Sequence, residues 1–329
     1  MSRWIPRGFA DRVVVRAARW LAVACGVIPL VLQSADGQVI DPSYIYGIAD
    51  NNDIYQINPV PGQESFSAVY NTGLAGQSNA FAFDRDRDQM FFINPSGTFD
   101  STPYSNGLFV WNKSAGTFAL LATTGSSYGV AATIPANAAY AGDAFWFFNE
   151  GTLDLVKASL SYSGTGANAV PTGVSGFSTF TMNSGTSLAA TQNRFGDIAI
   201  NVDADVLFGY TAQAQGGRFY SLDLAAPTSP SSFSLISGSS PIGLQLSFNE
   251  DYTKLYGHNY NNGKWYEIST ANGSLTDLNF TTTTNGTTGF RDLGGASVVS
   301  VPEPAALAVV MLVGAGFSIS GLCRRGRRA

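Results

Sequence analysis

The feature that most constrains this chain is a unit that recurs along it. An alternating apolar strand ends in Asp or Asn and is followed by a tight turn, an aromatic-rich strand, a second turn, an apolar-x-apolar strand, and a Gly or Thr link to a fourth strand. Recurrence of this kind marks folds in which each unit is one small sheet that cannot bury its apolar face alone and must stack on its neighbours. The copies read "NAFAFDRDRDQMFFIN" (79–94) leading to "GLFVWNKSAGTFALLATTG", and "AAYAGDAFWFFNEGTLDLVKASL" (138–160) with a longer tail. They continue with "FGDIAINVDADVLFGY" (195–210) leading to "GRFYSLDL" and "SSFSLIS", and "IGLQLSFNEDYTKLYGHN" (242–259) leading to "GKWYEISTANGSLTDLNF". The marker residues Asp84, Asp143, Asp203 and Asn249 lie 59, 60 and 46 positions apart.

The flanks supply a fifth unit. "YIYGIADNNDIYQINPVPGQESFSAVY" (44–70) has the second, third and fourth strands but no first, while "TGFRDLGGASVVS" (288–300), carrying Asp292, offers a lone first strand. This pattern predicts an all-β protein: a β-propeller of about five four-stranded blades, with the ring closed because the amino- and carboxy-terminal strands share a blade. The segment 161–194 is twice the length of a normal outer strand and loop, and leaves room for a sixth blade. A β-sandwich or an elongated β array is the competing architecture.

The carboxy terminus is of another kind. Val301, Pro302, Glu303 and Pro304 form an extended segment that neither a helix nor a central strand accepts. From Ala305 to Leu322 there are 18 residues without a charge, which as a helix would reach roughly 27 Å and span a bilayer. Arg324, Arg325, Arg327 and Arg328 follow, and by the positive-inside rule they mark the cytoplasmic end. This succession resembles the PEP-CTERM sorting signal of Gram-negative bacteria. The resemblance covers only residues 301–329. It implies an exosortase-like membrane transpeptidase as partner, a transient anchor in the inner membrane, and delivery to the cell surface or the extracellular polysaccharide. Separately, "YIYGIADNNDIYQINPVPG" is similar to the "LYGI…LY.I.P.TG" repeats of bacterial secreted propeller-like proteins of unassigned function.

The amino end agrees with export. Arg3, Arg7, Arg12, Arg16 and Arg19 precede "WLAVACGVIPLVL", and Ala35-Asp36-Gly37 offers a small-x-small cleavage site, so residues 1–37 read as a signal peptide. Cys25 stands only five apolar residues after Arg19, too close for lipoprotein processing. Removing 1–37 and 301–329 from the chain's 18 basic and 23 acidic residues leaves 9 and 20 in the body 38–300, a net charge of about −11. Such a body repels phosphate backbones, so nucleic acid is not an expected partner. Cys25 and Cys323 both lie in the flanks, and the body holds no thiol.

Chemistry-bearing motifs are sparse. The one histidine, His258, ends "LYGH" and reads as a polar residue at a strand end, with no nucleophile elbow to accompany it. Several-ligand zinc sites are excluded by count. Asp84, Asp86 and Asp88 alternate in "DRDRDQ" and form the one candidate calcium site. The motif departs from a calcium loop, however: Gln89 stands where the turn glycine belongs, and Arg85 and Arg87 interleave, so a solvated hairpin turn is the expectation. Asp84, Asp143 and Asp203 end inner strands and could ring one mouth of the channel. A retaining glycosidase would need two such acids about 5 Å apart, but turns also use Asp. Trp111, Trp146 and Trp265 offer flat faces to sugars or, in alternating strands, fill the space between blades. The expected role is a structural or binding component of the cell envelope or its polymer, without catalysis or cofactor. A polysaccharide hydrolase or lyase is the alternative.

Overall fold

A computed structural model describes residues 44–123, 137–149, 154–181, 196–210, 218–227, 233–236, 243–283 and 289–295. The expected signal peptide 1–37, the motif Val301–Pro304, the apolar span and the arginines 324, 325, 327 and 328 lie outside these residues. Among the described residues no helix is long and apolar enough to cross a membrane.

Among the described residues twenty strands form five antiparallel sheets of four. Blade one contains β1 (Ile45–Ala49), β2 (Asp53–Asn58) and β3 (Ser65–Asn71), and blade two contains β4 (Asn79–Asp84), β5 (Gln89–Phe99), β6 (Thr102–Asn112) and β7 (Thr117–Ala122). Blade three runs β8 (Ala139–Ala141), β9 (Ala144–Asn149), β10 (Asp154–Ser163), β11 (Val170–Thr181). Blade four runs β12 (Asp197–Asn201), β13 (Val206–Tyr210), β14 (Phe219–Asp223), β15 (Phe233–Leu235), and blade five β16 (Gln245–Phe248), β17 (Leu255–His258), β18 (Lys264–Ile268), β19 (Leu275–Thr281). The last strand, β20 (Phe290–Gly294), pairs with β1 and becomes the inner strand of blade one. The chain is therefore a five-bladed β-propeller closed as its two ends require.

The inner strands β20, β4, β8, β12 and β16 lie against one another in that cyclic order. The segment after Leu160 does not make a sixth blade in its described part. It extends β10 and supplies β11, the outer strand of blade three, with Asp154–Ser163 paired to Val170–Thr181. Between adjacent blades lie five apolar clusters, one per interface. This is the physical basis of the repeat: one sheet alone would leave both faces wet, and stacking removes them from water at roughly 25 cal/mol per Å² of apolar surface.

The glycine of the "YGI", "FGY" and "YGH" triplets has a packing reason. A Cβ on Gly47 would stand 2.8 Å from Leu293 of β20, and one on Gly257 would stand 2.8 Å from Leu244. At Gly209 it would run into the ring of Tyr220. In these three second strands the neighbouring side chain lies across bare backbone.

Candidate functional site

The inner strands enclose a narrow axial channel of about 40 Å³. Its walls are small and apolar, with Ala82, Ala139, Ala199, Leu246 and Gly294 contributed by five different strands. At the mouth the Arg85 guanidinium lies over the Tyr252 ring at 3.8 Å and donates to the carbonyl oxygen of Glu250, so blades two and five meet there.

The expected acids are partly brought together, and bound when they are. Arg87 donates from one terminal nitrogen to Asp84 at 2.8 Å and from the other to Asp143 of blade three at 2.8 Å. It also donates to Tyr140 at 3.0 Å, and its guanidinium lies 4.4 Å from the Tyr162 ring centre. Asp84 is only 1% exposed, and burial raises its pKa even though Arg87 pulls the other way. Asp203 stands exposed in the turn after β12. Asp143 occupies the left-handed position of its turn at φ 56°, as Asp88 does at 55° and Asp205 at 57°; it therefore matches Asp88 in the repeat.

The turn 84–88 is the hairpin expected from sequence, with Asp86 exposed at its tip, but it is not solvated throughout. Asp84 and Asp88 are buried, and the Gln89 side chain donates to the carbonyl of Ala169 at 2.6 Å, which ties the turn to blade three. Asp84 accepts from the Asp86 amide and from Arg87, and among the described residues no three acidic, histidine or cysteine side chains gather to hold a metal ion.

His258 is wholly buried. Its ring lies between Trp265 and Phe290, Nε2 stands 3.3 Å from the Thr282 hydroxyl, and among the described residues Nδ1 has no hydrogen-bond partner. Burial lowers its pKa to about 3, so it is neutral at physiological pH. The tryptophans are packing residues. Trp111 stacks on Tyr70 across the blade one–two interface at 4.2 Å, Trp146 stacks on Phe180 at 6.0 Å, and Trp265 donates to Thr282 at 3.0 Å. None presents a face to a sugar, since each is at most 6% exposed.

Sequence reasoning missed the polar ring at the other end of the channel. Asn79, Asp197, Gln245 and Asp292 pair with Ile93, Tyr210, His258 and Ile48, the same position of the second strand in four blades. Asn137 joins them from blade three by accepting from the Phe148 amide at 2.9 Å. Asp197 accepts from Ile198 at 2.8 Å and from Leu246 of blade five at 2.5 Å, and Asp292 accepts from Leu293 at 2.8 Å and Phe81 of blade two at 2.7 Å. The two carboxyl groups also hydrogen-bond to each other, and burial raises both pKa values, with Asp292 raised further by the charge of Asp197. The signal was present: four inner-strand repeats open on Asn, Asp or Gln, four to six residues before their marker, and Asp292 holds the same place in the last strand. Only alignment on the second strand exposes it.

No family model and no curated protein matches this chain. Among solved structures it is similar to one titled as a nidogen/laminin complex, with 9% identity over 77% of this chain and 97% of that chain and a TM-score of 0.46. It is also similar to an auxiliary nutrient binding protein from Bacteroides thetaiotaomicron, with 12% identity over 75% and 56% of the two chains and a TM-score of 0.42. A luciferin-regenerating enzyme matches with 14% identity over 79% of each chain and a TM-score of 0.42. Similarity at this level assigns neither ligand nor reaction.

Proposed function

We propose that this chain is an exported protein whose propeller is displayed at the cell surface or in the extracellular polymer, where it serves as a structural or binding component. In this reading residues 1–37 are removed on export. Residues 301–329, with their helix across the inner membrane, are handled by an exosortase-type transpeptidase. The observation that carries it is the order of elements at the carboxy end: Val301-Pro302-Glu303-Pro304, 18 uncharged residues, then Arg324, Arg325, Arg327 and Arg328. Supporting it, the motif begins seven residues after β20 ends the ring at Gly294, so a protease reaching it need not open the propeller.

A binding role is favoured over polysaccharide hydrolysis or lysis by the state of the acids. Arg87 occupies the space between Asp84 and Asp143 and holds both. A general acid and a nucleophile need one protonated and one free carboxyl flanking a substrate bond, and a carboxylate clasped by an arginine is poorly suited to either task.

Mass spectrometry of protein shed from the native host tests the sorting half. A carboxy terminus near Pro304 is expected, and recovery of Arg328 in the surface protein would count against it. A glycan array with body 38–300 tests the other half: retention without turnover supports binding, and released oligosaccharide would replace this reading with the enzymatic one.

A further inference from the structure

We infer that the polar ring at the end of the axial channel is a cation site, in which oxygens of Asp197, Asp292, Asn79 and Gln245 hold a calcium-like ion on the propeller axis. Asp197 belongs to blade four and Asp292 to blade one, so their contact runs across the ring. Gln245 of blade five lies between them in blade order, and Asn79 belongs to blade two, whose inner strand adjoins that of Asp292. Among the described residues the buried amide oxygens of Asn79 and Gln245 have no hydrogen-bond partner. Asn137, the fifth member, is wholly buried, and among the described residues its Nδ2 donor has no partner, which calls for a water oxygen in the ring. Buried polar groups are normally satisfied, so the complement of this ring comes from outside the described residues.

The chemistry of the donors narrows that complement. Two carboxyl groups in contact and out of water require a positive charge between them. A shared proton answers for the carboxyl pair alone and leaves the oxygens of Asn79 and Gln245 unmet. A cation coordinated by all four answers for the oxygens, and a water completing its shell can accept from the Asn137 Nδ2. Four oxygen ligands, two of them carboxylates, suit Ca²⁺, which accepts six to eight oxygens in irregular geometry, better than Mg²⁺, which demands a tight octahedron. Softer metals find no ligand here: body 38–300 has no cysteine, and the His258 ring packs between Trp265 and Phe290. The site is separate from the turn at Asp84, whose carboxylate is bonded to Arg87.

The test uses body 38–300, which contains all twenty strands of the closed ring. After EDTA treatment and dialysis, CaCl₂ is titrated by calorimetry and by thermal unfolding. At an excess of about 100-fold over Kd the midpoint should rise by about 5 °C. Affinity should fall at least tenfold in the double variant Asp197→Asn/Asp292→Asn and stay unchanged in Asp86→Ala. If the double variant does not fold, crystals of the wild-type body grown with CaCl₂ and measured at long wavelength should show an anomalous peak on the axis. The inference is overturned if calcium changes neither heat nor midpoint, if the response follows Asp86 in place of the ring, or if the axis carries only water.

Discussion

The carboxylate of Asp292 accepts the backbone amide of Phe81 at 2.7 Å, joining residues 211 positions apart and two adjacent blades. The contact exists because the last strand of the chain has become the inner strand of the first blade. Phe290 and Leu293 of that strand are buried between blades five and one, and each such side chain contributes about 2 kcal/mol.

Body 38–296 should therefore unfold in one cooperative transition, whereas 38–289, which lacks β20, should lose cooperativity or fail to fold. Calorimetric scans of the two proteins make the comparison. A single sharp transition in the shorter body would show that ring closure is not what stabilises this propeller.

Arg87 is the second fastening between blades. Changing Arg87→Met strands Asp84, which is 1% exposed, as a buried carboxyl without its cation, at a cost of about 3 kcal/mol. The unfolding midpoint should drop by roughly 5–10 °C, and adding Asp84→Asn to the same protein should recover part of the loss. Arg87→Lys should rescue less than its charge implies, because one ammonium cannot reach Asp84 and Asp143 as the two guanidinium nitrogens do.

His258 sets an acid limit. Its folded pKa is about 3, below the ordinary value of about 6.5, so the unfolded chain takes up a proton that the native one refuses. The stability this group contributes is complete above pH 6.5 and declines by about 1.4 kcal/mol per unit as the pH falls towards 3. His258→Met removes the titrating group. Urea unfolding between pH 4 and 7 should show an acid limb about one proton shallower than in wild type, and parallel limbs would contradict a buried neutral imidazole.

The axial pair works in the opposite direction. Burial raises the pKa of Asp197 and of Asp292, so their contribution is complete below the ordinary carboxyl value of about 4 and is lost as the pH rises through the folded values. In EDTA, wild-type stability should decline from pH 5 to 8 relative to Asp197→Asn, which keeps one acceptor oxygen and cannot ionise. An unchanged difference between the two proteins over that range would mean that both carboxyls are already ionised in the fold.

The ring was legible in the sequence because its determinants are local. Alternating apolar residues, turns rich in Asp, Asn and Gly, and the missing first strand before Tyr44 matched by the extra one at Phe290 are each visible within about twenty positions. The role of Trp111, Trp146 and Trp265 in packing followed from the same alternation. Blade number was less clear, because the long segment after Leu160 carries enough strand-forming residues for a further blade. The deciding fact is that Val170–Thr181 pairs with β10 as an outer strand.

Residue order by itself determined the β-sheet units, their closure, and the acidic, thiol-free body between two apolar flanks, since these depend on periodicity and composition. Tertiary structure alone decided which acids meet. Asp84 and Asp143 meet around Arg87, and Asp197 meets Asp292 across the axis 95 positions away, because closing the ring brings inner strands together that the chain keeps apart.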